Sequence, residues 1–255
     1  MTKEEQDALL ACYHEAGKHA NYQVLAPDVA ALLEGRAIQV KTRWEKERMA
    51  CISQTLPLAG KRILDIGGNT GFFSFEALRL GAKSVRYVEG TPAHARFVQL
   101  AAQALHCGKK LEIENTYYDF AAHSPQRFDI VFLLNVLHHV GDDYGDPNVS
   151  KEKAKQTMLT QLNAMATQAS WMVFQLGFNW KGNRLLPLFR EGTKSEQIAF
   201  IRQGVTGCWH VQSVFVPVKH DGKVVYEPLD DTNIQRDDSL GEFLNRPLFF
   251  LQSGA

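Results

Sequence analysis

Arg62-Ile63-Leu64-Asp65-Ile66-Gly67-Gly68-Asn69-Thr70-Gly71-Phe72-Phe73-Ser74-Phe75-Glu76-Ala77-Leu78 is the stretch on which the reading of this chain turns. A short apolar run reaches an acidic residue, passes through a glycine-rich turn and enters a helix-like pattern. This predicts a strand, a tight turn and a helix N-terminus. Gly67 and Gly71 lack Cβ, so the backbone there tolerates positive φ and can come close to a ligand. Asn69 is the next best residue type for a left-handed position. In α/β proteins such a turn holds nucleotide-like cofactors.

The dinucleotide fingerprint Gly-x-Gly-x-x-Gly needs glycines where this register has Asn69 and Phe72, which argues against a pyrophosphate. A smaller cofactor with an adenosine and a charged amino-acid tail fits better, because Asp65 offers a carboxylate at the strand end and the turn offers backbone donors. S-adenosylmethionine has that shape. The segment resembles motif I of the class I S-adenosylmethionine-dependent methyltransferases, with Asp-x-Gly-x-Asn-x-Gly in place of the commoner Asp-x-Gly-x-Gly-x-Gly. That resemblance implies an α/β, Rossmann-like, doubly wound seven-stranded sheet. It also implies S-adenosyl-L-methionine as cofactor, with Asp65, Gly67, Asn69, Gly71 and Phe72 around it.

Bulk properties narrow the remaining possibilities. A chain of 255 residues suits one domain, with or without a small accessory piece, and buries roughly 70% or more of its unfolded surface without a metal or disulfide staple. Lys and Arg together number 28, as do Asp and Glu, so no overall basic field draws in a nucleic-acid partner. Cys12, Cys51, Cys107 and Cys208 are scattered and form no Cys-x-x-Cys pair, so no metal is expected. The opening Met1-Thr2-Lys3-Glu4-Glu5-Gln6-Asp7 lacks a secretory apolar region, and no run approaches the roughly 18 apolar residues of a membrane span. A cytoplasmic protein without a membrane partner is the expectation.

Helical patterns cover residues 4–17, 28–33 behind Pro27, and 44–56 before Pro57. Residues 1–57 thus read as a helical extension, which in methyltransferases commonly covers the substrate side as a cap or lid. Residues 58–255 read as the cofactor-binding domain. Strands at 62–66, 84–89, 111–115, 128–134 and 171–176 alternate with helices at 73–80, 92–105 and 151–167, the pattern of a parallel sheet. A helix near 195–203 and strands at 211–218, 223–227 and 247–252 follow, with Asp221-Gly222 as a hairpin turn.

Glu89 ends the second strand, twenty-four positions after Asp65, where a carboxylate can accept both ribose hydroxyls. Within Tyr117-Tyr118-Asp119-Phe120, the resemblance places Asp119 on the adenine amino group, with Tyr118 or Phe120 walling the ring or serving the core. Asn135 closes the fourth strand, where ligands bind in open α/β sheets, and is a candidate for the cofactor tail or for catalysis. His138 and His139, in the helix expected to follow, are candidate general bases. On a helix adjacent residues point about 100° apart, so at most one faces the site.

On the acceptor side, Gln175, Phe178, Asn179, Trp180, Lys181 and Asn183 after the fifth strand suit a polar, partly planar small molecule, or simply a packed loop. Arg246 suits bidentate pairing with an acidic substrate group or a structural salt bridge. Lys41-Thr42-Arg43-Trp44-Glu45-Lys46-Glu47-Arg48 resembles the approach to the core in the tRNA uridine carboxymethyltransferase family, which makes Trp44 and Arg48 candidate substrate residues. Three activities follow from the same grip: methyl transfer to a small-molecule acceptor, attack on the cofactor's aminocarboxypropyl chain (transfer or closure to azetidine-2-carboxylate, releasing methylthioadenosine), and tRNA modification.

Overall fold

A computed structural model describes residues 1–15, 22–40, 42–122 and 126–254. Lys41 and the expected end of the first helix at residues 16–17 lie outside the described residues. The chain divides into two compact units, Met1–Tyr118 and Asp119–Ala255.

In the first unit the elements run α1 (Lys3–Glu15), α2 (Pro27–Leu32), α3 (Glu45–Thr55), β1 (Arg62–Ile66), α4 (Phe72–Arg79), β2 (Ser84–Val88), α5 (Pro92–Ala104) and β3 (Leu111–Glu114). The three strands are parallel in the order β3-β2-β1. Ile63 to Ile66 are all buried, the near-continuous burial expected of a parallel strand. Ile66 pairs with Val88 and Val88 with Glu114, so the three carboxyl ends finish level and their following loops share one edge. Pro92 opens α5 with its fixed φ at the first helical position. The buried face of α5 is built from His94, Phe97, Val98, Ala101 and Ala102. Against it α1 packs Tyr13, whose ring lies 5.7 Å from that of Phe97.

In the second unit the elements are β4 (Phe128–Leu134), α6 (Lys151–Ala164), β5 (Ala169–Gln175), α7 (Lys194–Gly204), β6 (Trp209–His220), β7 (Lys223–Pro228) and β8 (Leu248–Ser253). Their order is β4-β5-β8-β6-β7, with β4 and β5 parallel and the other pairs antiparallel. Phe132, Phe174, Phe249 and Phe250 fill its core. Ser150 and Thr193 cap α6 and α7 by accepting from the Lys153 and Glu196 backbone N–H groups. The expected hairpin is present: Asp221 (φ 49°) and Gly222 (φ 82°) supply the two positive φ angles of its turn.

Two expectations change. The described residues form eight strands, where the resemblance implied seven. His138 and His139 lie in a single 3₁₀ turn, Leu137–His139, and not in a longer helix. Gly141 (φ 84°) follows almost at once, and its left-handed backbone ends any helical run. Among the described residues no helix is long and apolar enough to cross a membrane.

Candidate functional site

The glycine turn adopts the conformation its sequence requires. Gly67, Asn69 and Gly71 all have positive φ (70°, 52° and 80°). The turn is pinned by Gly67 N–H to Val88 O (2.8 Å) and Gly71 N–H to Gly68 O (2.9 Å). Gly68 is needed for a different reason. A Cβ there would come within 2.5 Å of the Tyr87 ring, whose hydroxyl donates to the Asn69 carbonyl. Gly68→Ala is therefore expected to destabilise the protein by about 1–3 kcal/mol through overpacking. The denaturant midpoint checks this, and an unchanged midpoint would mean that Tyr87 moves aside without cost.

Asp65 is almost fully buried below the turn and accepts from the Ser74 hydroxyl at 2.7 Å. Burial, reinforced by the Glu89 charge and only partly offset by Ser74, pushes its carboxyl up to about 7. Glu89 reaches back across the strand ends: Oε2 accepts from Asn69 N–H (2.9 Å) and Oε1 from Thr91 N–H (2.8 Å). Burial alone would raise this carboxyl, but His94 and the two backbone donors outweigh it and hold it below the usual range. Two charge-assisted bonds thus fix the turn against β2. At the next strand end Asn115 donates to Glu89 O (2.9 Å). The Tyr117 ring lies directly over Gly90.

The N-terminal segment also reaches this turn, through a residue that sequence reasoning missed. Gln23 is buried, and its Oε1 accepts from both the Thr70 hydroxyl and the Phe72 N–H, each at 3.0 Å, so it caps α4. Of the two substrate candidates upstream, Arg48 is 4% exposed and lies 4.9 Å from the Phe73 ring centroid. Trp44 adopts φ 55° as the residue before α3. The structure thus brings Arg48 to the first turn of α4.

In the second unit, three residues singled out from sequence form one network. Asn135 (φ 63°) ends β4; its Nδ2 donates to Gln175 Oε1 (2.9 Å) and its Oδ1 accepts from Arg246 Nη1 (2.7 Å). Gln175 Nε2 closes the ring by donating to Arg246 O (3.1 Å). Glu242, which sequence reasoning missed, accepts from Arg246 and from Phe178 N–H (2.9 Å). Burial would raise Glu242, but the Arg246 charge and these bonds bring it below the usual range.

The two histidine rings lie 4.3 Å apart in different settings. His138 is 2% exposed and its Nδ1 accepts from Gly177 N–H at 3.3 Å. His139 directs Nδ1 at Asp143 (3.1 Å) and Asp142 (3.6 Å). The donor atoms of His139, Asp142 and Asp143 all lie within 4.8 Å of one another, close enough for one cation or for an imidazolium held by carboxylates. The spacing His-x-x-Asp-Asp is visible in the sequence but contains no cysteine, so a reading for metal sites built on cysteine spacing does not find it.

The other candidates have local structural partners. Asp119 Oδ1 accepts from Ala121 N–H, Phe120 is buried beside Tyr144, and Asn183 Oδ1 accepts from Leu185 N–H. Trp180 is buried, and its indole N–H donates to Val140 O at 2.7 Å, which anchors the loop after β5. Lys181 stacks on that indole, 4.5 Å from its centroid.

No family model matches the chain. Over 92 residues it is 35% identical to a ubiquinone biosynthesis O-methyltransferase of Cereibacter sphaeroides, a stretch covering 36% of each protein. Over 97 residues it is 33% identical to the enzyme of the same name from Ralstonia nicotianae, covering 37% of this chain and 39% of the relative. The chain thus spans little more than a third of the length of these curated relatives. Among solved structures, a candidate S-adenosylmethionine-dependent methyltransferase of Streptococcus mutans superposes with a TM-score of 0.53 at 14% identity, covering 84% of this chain and 49% of that one. The fold is a methyltransferase fold. A candidate RNA methyltransferase of Pyrococcus horikoshii, PH1948, agrees with a TM-score of 0.50 at 14% identity over 99% of this chain and 98% of its own.

Proposed function

We propose that this protein is an S-adenosylmethionine-dependent methyltransferase that delivers a methyl group in line to a small-molecule acceptor. The observation that carries the reading is the turn from Gly67 to Gly71, with its three positive φ angles and the Glu89 carboxylate drawn onto it. The residues present suit the cofactor. A carboxylate has about four acceptor sites, so Glu89, with two backbone donors bound, keeps capacity for ribose hydroxyls. Asp65 and the turn N–H groups would face the charged tail, and Tyr118 and Asp119 the adenine. The cofactor's sulfonium supplies the electrophilic methyl group.

The chain's own contribution is orientation and proton handling. Asn135, held by Gln175 and Arg246, is fixed in one rotamer with its amide assigned by both partners. His139 is the better-placed base of the two histidines. The Asp143 and Asp142 carboxylates, 3.1 and 3.6 Å from Nδ1, favour a ring proton on that nitrogen, which leaves Nε2 to accept a proton from an acceptor hydroxyl. His138 is enclosed and already engaged at Nδ1. Trp44 and Arg48 join this reading through Arg48's position over Phe73.

Mass spectrometry of the small molecules released from S-adenosylmethionine, with and without a cell extract, tests the reaction. S-adenosylhomocysteine formed only with extract is the expected result. Methylthioadenosine from protein and cofactor alone would replace methyl transfer by side-chain chemistry, and neither product would remove the catalytic reading.

A further inference from the structure

A cavity of about 470 Å³ opens in the second unit, between the loop that follows β5 and the segment that precedes β8. Phe178, Asn179, Arg184, Phe189, Arg236 and Glu242 are the lining residues that matter for its chemistry. The volume lies within the usual range of small-molecule sites, about 300–1,000 Å³.

Both walls are braced from behind. The first folds back on itself through Trp180 N–H to Leu186 O and Leu188 N–H to Phe178 O, both 2.8 Å. The second is held by Asn245, wholly buried, which donates to Asp237 O (2.7 Å) and Gly241 O (2.8 Å) and accepts from Asp237 N–H (2.9 Å). Lys194, 2% exposed, adds two bonds of 2.9 Å to Asn233 O and Gln235 O, just ahead of Arg236. Burying a lysine ammonium and an asparagine amide is costly unless their bonds are made, and here both are spent on fixing the backbone that presents Arg236. Phe178 and Phe189 meet edge to face with ring centroids 6.2 Å apart. The Arg236 guanidinium lies 5.3 Å from the Phe178 centroid.

The charges in the lining are equal in number but not all paired with one another. Three arginines (Arg184, Arg190, Arg236) accompany three carboxylates (Glu191, Asp238, Glu242). Arg190 pairs with Glu191 and Arg236 with Asp238, while Glu242 is taken by Arg246, which lies outside the lining. Arg184 is left with no hydrogen bond or ion pair among the described residues. Arg236 uses Nε on Asp238 and Nη1 on Gly192 O, so Nη2 still has a donor to give. The Asn179 side-chain amide likewise makes no hydrogen bond among the described residues. A surplus cation, spare guanidinium and amide donors, and two aromatic rings therefore converge on one cavity. Leu185, 86% exposed beside Arg184, adds an apolar side chain to the same loop.

We propose that this cavity is the acceptor subsite and that it takes a small organic carboxylate, with the carboxylate on Arg184, Arg236 and Asn179 and the body against Phe178 and Phe189. The proposal deepens the methyltransferase reading and rests on it for the role of the cavity. Glu242 links the two places: it lines the cavity and, through Arg246, holds Asn135 at the end of β4. A ligand that shifts Glu242 thus acts on the network around Asn135.

The test uses the full chain and ligand-observed NMR titration with benzoate, phenylacetate and indole-3-acetate, each beside its uncharged primary amide. At least one carboxylate is expected to bind tenfold or more tightly than its amide, and Arg184→Gln to abolish that difference. Arg184 is an exposed loop residue, so this variant retains the fold; Arg236→Gln serves as a second probe. Equal binding of acid and amide, unchanged binding in Arg184→Gln, or no binding by any of the three acids would overturn the proposal. S-adenosylhomocysteine affinity measured on the same samples reports separately on the cofactor reading and is expected to be unaltered in Arg184→Gln.

Discussion

Asp65→Asn is expected to gain stability progressively relative to the parent protein as pH rises from 5 to 7. The parent carboxyl is raised from its ordinary range to about 7 because burial disfavours its charged form. A group raised on folding binds its proton more tightly in the folded state. Its favourable contribution is complete below the unfolded pKa and is lost as pH climbs to the folded one, so the window runs from about 4 to about 7. At about 1.4 kcal/mol per pH unit, the two units between pH 5 and 7 correspond to about 3 kcal/mol. Asparagine keeps the shape and still accepts from Ser74, but does not titrate. The difference between the two unfolding free energies should therefore grow by about that amount and level off above pH 7. A flat difference would show that Asp65 ionises normally. The same proton bears on the proposed cofactor: S-adenosylmethionine carries positive charge on its sulfonium and ammonium groups, so its affinity for the parent should rise with pH up to about 7 and be pH-insensitive over that range in Asp65→Asn.

Glu89 should give the second large effect, on stability and binding together. Its carboxylate satisfies the N–H groups of Asn69 and Thr91. Glu89→Ala leaves both donors without that partner, and bonds to charged groups are worth about 1.5–3 kcal/mol each. A stability loss of about 3 kcal/mol is expected, with S-adenosylhomocysteine affinity falling by about 1–3 kcal/mol. Because the alanine variant confounds the two effects, Glu89→Gln separates them. One amide oxygen retains one backbone donor, so folding suffers less while at least a tenfold loss of affinity remains. Calorimetric titration beside a thermal melt reads both, and wild-type affinity in a well-folded Glu89→Gln would take Glu89 out of the cofactor site.

What the sequence disclosed follows the range of the interactions involved. The strand, turn and helix from Arg62 to Leu78 are local, and the backbone needs of Gly67, Asn69 and Gly71 could be read from residue type alone. Glu89 was reachable because parallel strands finish level, so a strand-end acid lies beside the preceding turn. Asn135, Gln175 and Arg246 were each found by position at a strand end or before the last strand. Their union into one network was not legible, since it depends on contacts 40 to 111 residues apart. Gln23 acts across 47 and 49 residues and Tyr87 across 18, and neither carries a local signature. The histidine segment reads as a helix only through its resemblance to a fourth-strand motif followed by a helix, while the stop signal, Gly141, lies just past it. The eighth strand was legible from the residues, since 211–218, 223–227 and the Asp221-Gly222 turn read as a hairpin; only the count of seven implied by the resemblance fell short.

Gln23 has a consequence for how the protein is dissected. Residues 1–57 invite removal as a separable cover, and loss of activity in a shortened chain would ordinarily be taken as evidence for a lid. Here a cut after residue 25 also strips the acceptor from Thr70 and Phe72 and leaves the first turn of α4 with one donor fewer satisfied. A shortened protein would lose its grip on an adenosyl ligand whether or not anything ever closes over it. A point change at Gln23, compared with the deletion, tells an uncapped helix from a missing cover.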